Sequence, residues 1–163
     1  MTDAEVEDQI PAPSWSTCMS GRSVAGEPCR GRQVDGFDRC LAHLEPEQLD
    51  QFLRLLAPGA DLDASGTEIN AELLKRILRA VTSEDAPPLF GRVDFQRAYF
   101  RGYAGFRGAR FSRNANFSYA QFGGYAGFVA IQPEWAGVGL RARIWLIFDG
   151  PARRVGLIAV RMC

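Results

Sequence analysis

Between residues 89 and 128 the apolar positions return with a beat that neither a helix nor a plain strand explains. Phe90, Phe95, Phe100, Phe106, Phe111, Phe117, Phe122 and Phe128 follow one another at five or six residues. A helix asks for apolar positions three and four apart, a half-buried strand for positions two apart. Two places before most of these rings stands a small residue: Ala98, Ala104, Ala109, Ala115, Ala120 and Ala126, with Val93 earlier. Such a pattern fits short straight runs alternating with corners, each run sending one large side chain inward while its small partner leaves room. Glycine suits the tight corners. A longer period lies over the short one. YAGF at 103–106 returns at 125–128, a shift of 22, and at that shift Phe90 to Phe106 map onto Phe111 to Phe128 within one residue. Self-similarity at a fixed period marks a solenoid. Four runs per coil predict a square tube of two coils, with Phe95, Phe100, Phe106, Phe111, Phe117, Phe122 and Phe128 as its core. The competing reading, a Phe-rich low-complexity segment, does not account for the 22-residue echo.

NANF at 114–117 and AQF at 120–122 resemble the pentapeptide-repeat family, whose unit is roughly Ala-(Asp/Asn)-(Leu/Phe)-x-x. The alternation of five and six residues reads as a Phe-centred variant. The resemblance covers about a quarter of the chain. It implies a mainly β solenoid, a right-handed quadrilateral β-helix of about two coils.

Upstream the period changes to that of helices. Pro46 opens EPEQLDQFLRLLA, where Leu49, Phe52, Leu53 and Leu56 share a face, and Pro58-Gly59 stops it. Thr67 is placed to cap TEINAELLKRILRAV, with Ile69, Leu73, Leu74, Ile77, Leu78 and Val81 on one side. Pro87-Pro88 separates these helices from the Phe ladder. The link between the helices has two readings. Asp61, Asp63, Ser65, Gly66 and Glu72 fall at positions 1, 3, 5, 6 and 12 of a calcium loop. ADLDA at 60–64 is also an Ala-Asp-Leu-x-x unit, which makes Leu62 an early rung of the ladder; this second reading is the favoured one.

The chain divides accordingly. Residues 1–16, acidic and containing Pro11 and Pro13, read as a disordered tail. Residues 17–44 form a Cys/His module, 45–88 a helical cap, and 89–128 the repeat. Residues 129–163 lose the beat. There RARIWLIF and RRVGLIAV flank Asp149-Gly150-Pro151, a β-hairpin signal. The alternative for this tail is a frameshifted end.

Residues 17–44 carry the clearest chemistry. Cys18, Cys29, Cys40 and His43 are spaced Cys-x10-Cys-x10-Cys-x2-His. Three thiolates and an imidazole are a tetrahedral zinc set, and a Cys-x2-His pair can grip one ion from a single turn. The intervening loops are polar and Gly-rich, so a metal would supply folding energy they lack. Free thiols beside a surface histidine are the other reading. The stretch also looks like a small Cys/His module seen ahead of pentapeptide repeats in some bacterial proteins.

Charge and missing motifs bound the function. The 163 residues balance 19 basic against 19 acidic side chains, but residues 1–88 are acidic and residues 89–163 basic. Every basic residue except Lys75 is arginine. The acidic start carries no apolar leader and no 18-residue apolar run exists, so neither a secretory signal nor a membrane span is expected. A cytoplasmic setting follows, where thiols are reduced or metal-bound. The single histidine is taken by the cysteines, and no phosphate loop, dinucleotide fingerprint or Gly-x-Ser-x-Gly elbow occurs. The expectation is a non-catalytic protein.

The resemblance implies a scaffold for an unnamed protein partner. One subgroup of the family resembles DNA in shape and negative charge and binds type II topoisomerases. This ladder departs from that pattern, having Arg92, Arg97, Arg101, Arg107, Arg110 and Arg113 against Asp94 alone. The alternative is nucleic-acid or other polyanion binding through those six arginines, set against a merely soluble Arg-rich surface. A calcium-responsive segment at 61–72 is a third reading. Two coils are fewer than a solenoid usually needs. Its finish therefore calls for a cover, either Trp145, Leu146, Ile147 and Phe148 of the tail or a second copy of the chain in a homodimer.

Overall fold

The structure, a computed structural model, describes residues 12–23, 25–127, 148–149 and 154–155. Residues 1–11, Phe128, Trp145, Leu146, Ile147, Cys163 and the rest of the tail lie outside the described residues, so the expectations for them are not met or refuted here.

Helix α1 (Pro46–Leu55) begins where proline fits best, at the first helical position. The Gln48 side chain reaches back to accept from the Glu45 N–H at 3.0 Å. Its apolar stripe, Leu49, Phe52, Leu53 and Leu56, is half-buried against the core. After it come strand β1 (Leu62–Asp63), strand β2 (Glu68–Asn70) and helix α2 (Ala71–Ala80). Thr67 is not the cap of the second helix. Residues 68–70 are extended, and Asn70 caps α2 by accepting from the Leu73 N–H at 2.8 Å. Tertiary pairing overrides local helix propensity here: Ile69 lies in register with Phe100, and both are buried. Leu73, Leu74, Ile77 and Val81 bury the inner face of α2, and an Arg76–Asp50 ion pair joins the two helices.

Eight short strands follow in the Phe ladder: β3 (Leu89–Phe90), β4 (Val93–Asp94), β5 (Tyr99–Arg101), β6 (Ala104–Gly105), β7 (Arg110–Phe111), β8 (Ala115–Asn116), β9 (Gln121–Phe122) and β10 (Ala126–Gly127). They pair in parallel with their counterparts one repeat away: β1 with β4 and β4 with β8, β2 with β5 and β5 with β9, β3 with β7, and β6 with β10. From the tail, β11 (Phe148–Asp149) and β12 (Arg154–Val155) pair antiparallel, and Arg154 of β12 pairs antiparallel with Gln121 of β9.

This topology corrects the expected right-handed quadrilateral β-helix. Among the described residues the strands are two or three residues long and make a three-stranded sheet, two two-stranded sheets and one mixed five-stranded sheet. No continuous or closed solenoid sheet joins them. The reason is run length: after one inward and one outward residue the chain turns, so hydrogen bonding reaches only the neighbouring copy. Helix α2, one of the two helices expected ahead of the repeat, instead stands between β2 and β3 and packs its buried face into the same core.

The inward positions are as the Phe beat implied. Phe95, Phe100, Phe106, Phe111, Phe117 and Phe122 are all buried. Phe90 stacks on Phe111 at 5.4 Å and Phe100 on Phe122 at 4.8 Å between ring centres, while Phe95 and Phe117 tilt together at 5.2 Å. Such pairs add about 0.5–1.5 kcal/mol each beyond area burial. The polar partner of the motif has its own role. Asp63, Asp94 and Asn116 occupy matching places, and each side chain accepts from the N–H two residues on, at Ser65, Gln96 and Ser118. Asn116 also donates to Asp94 across the strands at 3.1 Å. These bonds hold successive turns in the same shape.

Segment 61–72 is accordingly not one continuous loop between helices. It holds two strands and the start of α2, and its Asp61 and Asp63 carboxylates are engaged. Asp63 serves Ser65 and pairs with Arg32 at 3.3 Å; Asp61 accepts from the Arg92 N–H at 2.7 Å and pairs with Arg113 at 3.5 Å.

Candidate metal centre

The Cys/His module is a set of loops tied by single bridges. Thr17 pairs with Arg32, Arg22 with Pro28, and Gln33 with Cys40, all antiparallel. The Cys18 N–H donates to the Gly31 carbonyl at 2.7 Å, which brings Cys18 beside the segment carrying Cys29. A turn closed by the His43 N–H on the Cys40 carbonyl, at 2.9 Å, swings the imidazole against the Cys40 sulfur.

The result is a four-ligand cluster: the Cys18, Cys29 and Cys40 sulfurs and a His43 ring nitrogen all lie within 4.8 Å of one another. Cys18 Sγ is 3.6 Å and Cys40 Sγ 3.3 Å from His43 Nδ1; Cys29 Sγ is 3.7 Å from Cys40 Sγ. Ligands at about 2.3 Å (sulfur) and 2.0–2.1 Å (nitrogen) around one tetrahedral ion stand about 3.6–3.8 Å from each other. The spacing therefore fits one metal ion. All three cysteines are buried, and no disulfide links them. The Cys29 thiol is lowered to about 5, first by its hydrogen bond with Cys40, then by the Gly31 N–H and His43, against the opposing effect of burial. The Cys40 thiol is pushed up by that same bond, by burial and by the neighbouring Cys29 and Cys18. Sulfurs this close resist carrying charge together, and a bound cation removes that conflict.

Two glycines are required by the geometry. Gly21, at φ +90, lies under the imidazole; a Cβ there would meet His43 Nε2 at 2.6 Å. A Cβ at Gly31 would meet Cys40 Sγ at 2.9 Å.

The cluster is anchored to the Phe core. The Arg32 N–H donates to the Ser65 carbonyl at 2.8 Å, and the Trp15 indole donates to the Arg30 carbonyl at 2.9 Å beside Gly66. Val34, Leu41 and Leu44 belong to the same apolar cluster as Leu62 and the phenylalanines. Ser65 and Thr67 are buried at this seam. Nothing in the cysteine spacing signals those anchors.

The six arginines are brought together less well. Arg101 ends β5 and Arg97 stands in the turn before it, Arg110 is in β7 on another sheet, and Arg92 and Arg113 come just before β4 and β8 on a third; Arg107 precedes β7. What the arginine list omitted is tyrosine. Tyr99, Tyr103, Tyr119 and Tyr125 all face outward while every described phenylalanine of the ladder faces inward. The signal was present: wherever the ladder uses a ring with a hydroxyl, it does so off the five-or-six beat.

No protein-family model matches the chain, and neither a curated protein nor a solved structure matches it. Among the described residues no helix is long and apolar enough to cross a membrane.

Proposed function

We propose that Cys18, Cys29, Cys40 and His43 hold a structural zinc ion, and that the chain is a non-catalytic binding module whose ligand meets outward side chains of the Phe-cored repeat. The convergence of four ligand atoms within 4.8 Å carries this reading. Three thiolates and one imidazole favour zinc among the common divalent ions, and a closed set of four protein ligands leaves no position for the water that catalytic zinc keeps. Metal-binding energy in such loops is folding energy. Here it would reach β1 and β2 through the bond from Arg32 to Ser65 and the Arg32–Asp63 ion pair.

The test is metal analysis of the full chain purified without added zinc, followed by hydrogen exchange before and after chelation. The expected result is about one zinc per chain, with exchange rising in residues 17–44 and spreading to 62–70 when the metal is removed. Metal-free protein with freely titrating thiols at Cys18, Cys29 and Cys40 would refute the zinc reading.

A further inference from the structure

Residues 97–103 and 119–125 run side by side as two parallel rows, with Tyr99 opposite Gln121 and Phe100 opposite Phe122. Alternation sends Ala98, Phe100 and Ala104 inward. What remains outside on the first row is Tyr99 and Arg101 on β5, with Arg97 in the turn before that strand and Tyr103 just past the turn at Gly102. On the second row the rings are Tyr119 and Tyr125.

These rings are exposed and held in place. Tyr103 and Tyr125 are 54% and 65% exposed, yet their planes are parallel to within 1° at 5.9 Å. Tyr119 is 60% exposed, with the Arg97 guanidinium over its ring at 5.8 Å. Glycine keeps the rings close to the backbone. A Cβ at Gly123 would strike the Tyr99 hydroxyl at 2.6 Å, and one at Gly105 would strike the Tyr103 ring. Arg97 and Tyr119 both hold φ at +57, a left-handed conformation disfavoured for a residue with a Cβ. The backbone thus bears strain at the corner where this cation and this ring meet.

We propose that this face binds single-stranded nucleic acid, with bases stacking on the tyrosines and phosphates meeting Arg97 and Arg101. The proposal rests on the reading of the chain as a binding module, but not on the metal. Charge complementarity points to a polyanion, since the described ladder from 89 to 127 has six arginines and one carboxylate, Asp94; of the six, Arg101 lies 4.0 Å from Glu68 on β2 and Arg113 3.5 Å from Asp61. Flat exposed rings select among polyanions. A single strand presents a base at every charge; a duplex hides its base faces in the stack, and an acidic peptide has charge without regular rings. Stacking platforms interleaved with cations are the physical basis of sequence-tolerant single-strand binding. On β5, Tyr99 and Arg101 are two positions apart, about 6.6 Å along a strand, so this ring and this cation lie within reach of one nucleotide and its phosphate.

The experiment is fluorescence anisotropy of labelled oligothymidylate and oligouridylate against the full chain, with a duplex of equal length and polyglutamate as competitors, over a range of salt. Metal content and far-UV circular dichroism are recorded on the same preparation. The expected result is single-strand binding that neither competitor matches. Tyr103→Ala with Tyr125→Ala should weaken it tenfold or more, because stacking is worth about 1–3 kcal/mol per base, while Tyr103→Phe with Tyr125→Phe should keep it. Arg101→Ala should lower the salt slope by about 0.7, the single-strand increment for one phosphate. Absence of binding at low salt by folded, metal-loaded protein overturns this inference and leaves the metal-braced module standing. Equal binding of duplex or polyglutamate, or indifference to loss of both rings in a folded variant, also overturns it.

Discussion

Replacing Phe100 by alanine probes the core where its rings converge. The residue is 1% exposed on β5. Its ring stacks on Phe122 at 4.8 Å and meets Phe95 and Phe106 edge-on at 5.3 and 5.5 Å, with Phe117 at 6.4 Å. Truncating a buried phenylalanine costs about 3–5 kcal/mol, the spread reflecting how far the site can collapse. Collapse is hindered here, because β5 is held by parallel pairing on both sides, to β2 and to β9. The expected loss for Phe100→Ala is therefore toward the upper end, about 4–5 kcal/mol. That is a large share of the roughly 5–15 kcal/mol that holds a domain folded. Arg107→Ala, at an exposed position outside the strands, should change stability by less than about 0.5 kcal/mol. Urea unfolding followed by far-UV circular dichroism compares the two, at one fixed zinc concentration because bound metal shifts the apparent stability. If Phe100→Ala moves the midpoint no more than Arg107→Ala, the rings are not the packed core and the reasoning fails.

Two further substitutions test the supporting geometry. Gly21→Ala places a methyl group against the His43 ring on a backbone at φ +90, and should weaken metal affinity about tenfold or more, as loss of a ligand's support commonly does; competition with a chromophoric chelator measures it, and unchanged affinity would show that the ring is not fixed by this contact. Asp94→Ala removes the acceptor of both the Gln96 N–H and the Asn116 side chain, and should cost about 1–3 kcal/mol in urea unfolding; no loss would mean that water serves those donors equally well.

How far the sequence could be read depended on whether the deciding contacts were local. Cys40 and His43 share a turn, and Cys18 and Cys29 have few other roles in their polar loops, so composition and spacing led to a cluster that does converge. The inward phenylalanines were legible for a similar reason, because each is set by the alternation of its own short run. Residues 68–70 were not. Ile69 stands four before Leu73 and eight before Ile77, which satisfies a helical stripe, and only pairing with distant β5 makes it strand. The sheet organisation was misjudged because periodicity gives the order of inward residues but not how many residues each run devotes to pairing. The arginines were grouped by composition, yet turns between them send Arg92, Arg101 and Arg110 to different sheets. The tyrosines went unremarked because they break the apolar beat, and that break is what turns them outward.

The position of α2 bears on how such a chain can diverge. In-register partners stand 22 residues apart at Val93 and Ala115, and at Phe100 and Phe122. They stand 31 apart at Leu62 and Val93, and at Ile69 and Phe100, where α2 lies between them. For a flexible loop that extra length costs only about 0.3 kcal/mol in closure entropy, and α2 offsets it by burying Leu73, Leu74 and Ile77. The connection from Asn70 to Leu89 is thus a natural insertion point: the chain leaves the strands there, folds a helix of its own, and returns to pair in the same register. Sequences descended from a common ancestor could lengthen or shorten at this seam while the Cys/His cluster on one side and the rings on the other kept their alignment.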